Sequence, residues 1–96
     1  MEAARQYLSH IDAAGGRPVV AGTRMRVSQI ASETERHGMT PGQIVEAHPH
    51  LTLADVHAAL TYFYDHRDAI QQEWAEEDAL VAEMKAQHPN PDWLNR

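Results

Sequence analysis

Cysteine is absent from the 96 residues. That excludes a disulfide framework, a thiolate metal site and a cysteine nucleophile, and it points to a reducing, cytoplasmic setting. No stretch approaches the ~18 consecutive apolar residues of a membrane helix. The start, Met1-Glu2-Ala3-Ala4-Arg5, lacks the apolar centre of a signal peptide. Phosphate-loop chemistry is missing too, because Ala14-Gly15-Gly16-Arg17 has neither the spacing nor the lysine. Seven histidines are present. His48, His50 and His57 nonetheless have no His-Glu-x-x-His spacing around them, so helix-end and surface roles are expected in place of a metal site. The acids at 65/68 and 76/77/78 fall on an expected exposed helix and read as a solvated face. A chain this short buries only ~60–65% of the surface its unfolded form exposes. With no catalytic constellation and no cofactor motif, it reads as a non-enzyme.

Acid is also missing locally. From Ala13 to Ser32 no Asp or Glu occurs, while Arg17, Arg24 and Arg26 do. Residues 1–50 carry five arginines and five acids; residues 51–96 carry three basic groups and nine acids, which is all of the net −6. Two surfaces for two kinds of partner follow from this division. The arginines suit phosphate contacts, although three per chain neutralise little, so DNA affinity calls for at least a homodimer. For Arg24, next to the Gly22-Thr23 turn, a structural ion pair or a cap on backbone carbonyls is an equally good reading.

What is there divides by period. Tyr7 to Ile11 alternates as a half-buried strand, Asp12 to Gly16 is a turn, and Pro18-Val19-Val20 supplies a second short strand. From Val27 the period becomes helical, with Ile30, Ala31 and Thr34 on one face and Gly38 placed to end the helix. Thr40-Pro41-Gly42-Gln43 combines an N-cap, a proline at N1 and a capping-box Gln, and Pro49 stops that second helix at His48. Thr52-x-x-Asp55 opens a third helix whose apolar stripe reads Leu53, Val56, Leu60, Phe63, Tyr64. The second and third helices have helix-turn-helix lengths, which would present Thr52 and His57 to base edges. A three-helix packing unit with no DNA role is the competing reading.

Beyond Arg67 lies an acidic helix with a narrow seam, Ile70, Trp74, Val81 and Met84, interrupted by Glu77. Such a seam suits docking on a partner, and the competing reading is that the helix packs back on its own bundle or on the other subunit, with Trp74 in a core. Pro89-Asn90-Pro91 ends it, leaving Trp93 and Leu94 on a tail. The expected organisation is therefore 1–67 as hairpin and helix-turn-helix domain and 68–96 as partner-binding helix and tail.

The run Gly15-Gly16-Arg17-Pro18 through Gly22-Thr23-Arg24-Met25-Arg26-Val27 resembles the glycine-arginine-proline…glycine-threonine-arginine signature of the family catalogued as domain of unknown function 433, often called VapB-type antitoxins. Gly38 to Ile44, His48 to Thr52 and Asp55 to Leu60 are similar to it in order and spacing, so the likeness covers roughly Leu8 to His66. Arg26 departs from the family, which often has an apolar residue or proline there. The resemblance implies an α+β, mainly α fold: a β-hairpin, a homeodomain-like three-helix bundle and, here, a C-terminal helix. It implies a homodimer that neutralises a PIN-like ribonuclease toxin and binds operator DNA. The residues assigned to DNA are Arg17, Arg24, Arg26, Thr52 and His57; those assigned to the toxin are Ile70, Trp74, Val81, Met84, Lys85, Trp93 and Arg96. Lys85 or Arg96 would compete for the metal-binding carboxylates of the toxin. The alternative is a non-catalytic interaction or dimerisation module without a nucleic-acid role.

Overall fold

Two turns with left-handed glycines shape the N-terminal region. Gly16 (φ 93°) closes the first, where its N–H donates to Ala13 O at 3.1 Å. Gly22 (φ 78°) sits in the second, where Thr23 N–H donates to Val20 O at 3.0 Å, and no L side chain adopts that φ without strain. The Thr23 hydroxyl locks this turn, donating to Val20 O at 2.8 Å and accepting from Met25 N–H at 3.0 Å. The Gly-Thr pair of the signature is thus a turn device.

The computed structural model describes residues 9–87. It is mainly helical, in the order β1 (Ile11–Asp12), β2 (Val19–Val20), α1 (Val27–Glu35), α2 (Pro41–Ala47), α3 (Leu53–Asp65) and α4 (Arg67–Gln87). β1 and β2 pair antiparallel, Ile11 opposite Val20 and Asp12 opposite Val19. The expected strand from Tyr7 shifts: Ser9 and His10 form a 3₁₀ turn, and Tyr7 and Leu8 lie outside the described residues. The far side of β2 is occupied as well, by a bridge from Val19 to Arg26 and a bond from Val27 N–H to Pro18 O. Pro18, which lacks an N–H, needs only this acceptor role.

The helix boundaries follow their caps. Gly38 (φ 67°) turns the chain after α1, and Met39 N–H reaches back to Glu33 O at 2.9 Å. Both capping boxes form: Thr40 with Gln43 ahead of α2, and Thr52 with Asp55 ahead of α3. The two strands and the helices α1 to α3 are too short to stand alone. They are held by one core in which Val20, Val27, Ile30, Ile44, Val56 and Phe63 are fully buried, each contributing about 1.5–3 kcal/mol.

Two parts of the apolar pattern fall differently from the sequence expectation. Leu53 and Tyr64 are exposed, each 52%, because Leu53 starts its helix beyond the core edge and the Tyr64 hydroxyl turns to donate to Glu35 at 3.0 Å. Ile70 and Trp74 are core residues, not an open seam: Ile70 is fully buried and Trp74 is 9% exposed. The core therefore crosses the expected division at 67/68. The reason is geometric. His66 breaks the helical line with φ −132° and ψ 41°, so α4 folds back over α1 and α3. The Trp74 indole N–H then donates to Ser28 O at 2.9 Å, and its ring lies 5.4 Å from that of Phe63.

Candidate functional site

With Trp74 docked, the acidic triplet one turn further along α4 lands among the arginines of the N-terminal half. Arg17 lies 3.8 Å from Glu76 and 3.7 Å from Glu77; Arg26 lies 3.2 Å from Glu77. Arg36, the C-cap of α1, pairs with Asp78 at 3.1 Å while its guanidinium stacks over the Trp74 ring at 4.6 Å. All these groups are partly solvated, so each pair contributes little individually, on the order of 0–1 kcal/mol. Arg24 is exposed and forms no ion pair among the described residues. Of the three arginines expected to face phosphate, two already have carboxylate partners and one is open. Arg36 was not singled out by the sequence, and only the complement of an acid-free stretch and an acid triplet pointed to its neighbourhood.

These contacts border an open cleft of about 680 Å³ along the outer side of α1. Arg24, Arg26 and Arg36 face it together with His37, His48 and the edge of Trp74. Its second carboxylate besides Glu77 is Glu33, which accepts from His48 Nε2–H at 2.9 Å.

The start of α3 is arranged for capping first. The Thr52 hydroxyl accepts from Asp55 N–H at 3.0 Å, and Thr52 N–H donates to Asp55 Oδ2 at 3.0 Å. His10 Nδ1–H donates to Asp55 Oδ1 at 2.9 Å, tying the hairpin to α3. Burial alone pushes the Asp55 carboxyl up, but the bonds from Thr52 N–H, His10 and the Thr52 hydroxyl together outweigh it and hold it below its ordinary value. Thr52 is therefore committed to its cap, while His57 on the next turn is exposed. The two do not share a site with the arginines of the cleft.

The second half of α4 leaves the bundle. Every residue from 78 to 87 is exposed, among them Leu80 (57%), Val81 (48%) and Met84 (57%), with Lys85 at the end. Of the residues assigned to a partner, Val81, Met84 and Lys85 stand on this free stretch, and Leu80 joins them unforeseen. Ile70 and Trp74 are occupied in the core, and Trp93 and Arg96 lie outside the described residues. No group of three His, Cys, Asp or Glu able to hold a metal occurs among the described residues. No described helix is long and apolar enough to cross a membrane.

No curated protein and no solved structure matches the chain. A family model described as "Protein of unknown function (DUF433)" matches residues 10–63, from the hairpin into α3, with α4 lying beyond it. That match spans more than half of the sequence, and the chain belongs to the DUF433 family.

Proposed function

We propose that this chain is a VapB-type antitoxin of a type II toxin–antitoxin module. In this reading it is a cytoplasmic homodimer that neutralises a PIN-like ribonuclease through its C-terminal stretch. It binds operator DNA through a homeodomain-like, helix-turn-helix arrangement of α1 to α3. The observation that carries the toxin-binding role is the exposed apolar stripe of Leu80, Val81 and Met84 on the part of α4 that leaves the bundle. A helix with one free apolar stripe suits a partner's groove. Lys85, the next residue, supplies a cation at the end of the stripe, where it would compete for the carboxylates that bind metal in such a nuclease. In this reading two copies pair along β1.

The test is inhibition of a PIN-like ribonuclease encoded beside this chain, with the triple variant Leu80→Glu, Val81→Glu, Met84→Glu. These side chains are exposed, so the variant is expected to keep its Tm and lose inhibition. Inhibition that survives the triple variant overturns the assignment of this face. A second reading, an interaction module without a DNA role, is favoured by the carboxylates that already engage Arg17 and Arg26. Operator binding in a gel-shift assay, lost in an Arg24→Ala/Arg26→Ala variant, separates it from the first.

A further inference from the structure

The cleft beside α1 gathers arginines on an acidic chain. Its walls carry three guanidiniums, Arg24, Arg26 and Arg36, against the two carboxylates Glu33 and Glu77, in a protein of net charge −6. Both carboxylates are engaged, Glu33 by His48 at 2.9 Å and Glu77 by Arg26 at 3.2 Å. Arg26 and Arg36 are in turn paired with Glu77 and Asp78, so exchange of these two pairs brings three guanidiniums to bear on one concave place, where low-dielectric walls concentrate their field. Arg24 and Arg26 precede the N-terminus of α1, whose dipole adds to their sign, while Arg36 caps its C-terminus and offsets the negative end there.

We propose that this cleft binds a phosphate group, with Arg24, Arg26 and Arg36 as its cationic wall and Glu77 and Asp78 of α4 as built-in competitors. Guanidinium forks match phosphate oxygens bidentately, and a phosphate outcompetes a single carboxylate because it brings more charge and more acceptors to one place. Arg36 is pre-oriented, since stacking at 4.6 Å over Trp74 holds its plane and leaves its donor edge free to exchange partners. The carboxylates to be displaced are solvated: Glu77 is 41% exposed and Asp78 65%. Exchange of such pairs is cheap. The outward residues Gln29 and Ser32 of α1 add neutral donors along the wall. At about 680 Å³ the space is that of a small-molecule site, roughly 300–1,000 Å³, so the phosphate enters with part of what carries it. A nucleic-acid backbone and a free phosphoanion present the same chemistry here. The inference does not depend on toxin binding.

The test uses the full chain at neutral pH and constant ionic strength. Amide spectra are followed during titration with inorganic phosphate, then with a nucleoside monophosphate, then with a short duplex DNA. Saturable shifts are expected at residues 24, 29, 32, 36 and 37. Arg24→Ala, which removes a side chain without an ion pair among the described residues, is expected to weaken phosphate binding about tenfold, the scale of a lost charge-assisted contact. Arg36→Lys keeps the charge, loses the fork and is expected to weaken it as well. Glu77→Gln with Asp78→Asn removes the competitors and is expected to tighten binding roughly threefold, as suits two weak exposed pairs. Shifts that do not saturate with any of the three ligands overturn the proposal. So do arginine variants that titrate like the wild type, or a Gln/Asn variant that binds no more tightly. Duplex DNA shifting these amides assigns the phosphate to nucleic acid. Phosphate and nucleotide binding here without DNA binding keeps the cleft and removes the operator role. DNA binding indifferent to Arg24 and Arg36 keeps the operator role and removes the cleft.

Discussion

Trp74 makes three kinds of contact at once. Its indole N–H donates to Ser28 O, one side of its ring meets Phe63, and the Arg36 guanidinium covers it. Trp74→Ala is therefore expected to cost about 3–5 kcal/mol in denaturant unfolding, the range for a large buried aromatic. Trp74→Phe, which keeps most of the apolar volume and drops the hydrogen bond, is expected to cost about 1 kcal/mol. Equal stability of wild type and Trp74→Ala would show that α4 is not docked in solution. Asp55 supplies a pH dependence. Its carboxyl is held low in the folded chain, so its stabilising contribution is present above the unfolded-state value of about 3.9 and is lost as pH falls below that. The Tm gap between wild type and Asp55→Asn is expected to narrow as pH drops from about 6 to about 3, and a gap that stays constant across that range contradicts this account.

At the scale of elements, α4 is two objects on one helix. Its first turns, through Trp74 and the pairs at Glu76 to Asp78, belong to the bundle; its later turns, from 79 onward, are exposed. A chain stopped after Asp78 is expected to melt with the wild type. A chain stopped after Arg67 loses Ile70 and Trp74, and in a protein of this size each kcal/mol lost lowers Tm by about 4–8 °C, so loss of folding is expected. Similar melting of the two truncations refutes the split. The sequence located the helix starts well because Thr40-Pro41-x-Gln43 and Thr52-x-x-Asp55 act through local bonds over three residues. It favoured a partner over the bundle for Ile70 and Trp74 without deciding between them, because an i, i+4 apolar pair looks the same whether it faces its own bundle or another protein.

Over the whole molecule, stability runs in a gradient. The buried set from Val20 to Trp74 forms one cluster, whereas every residue from 79 to 87 is exposed. Hydrogen exchange is expected to be slow for the amides of Ile30, Val56 and Phe63 and fast from 79 to 87, and uniform protection along α4 contradicts this. Several features were determined by the sequence itself: the turn glycines, both capping boxes, the helical order, the location of the excess negative charge and the family signature. All of these depend on contacts within a few residues or on composition. The tertiary structure alone decided that α4 folds back at His66, that Trp74 closes the core, and that Glu76 to Asp78 meet Arg17, Arg26 and Arg36. Those partners are some 42 to 60 residues apart along the chain. A solvated ion pair at that separation leaves no periodicity or spacing to read, and only the packing of α4 on α1 brings its two halves together.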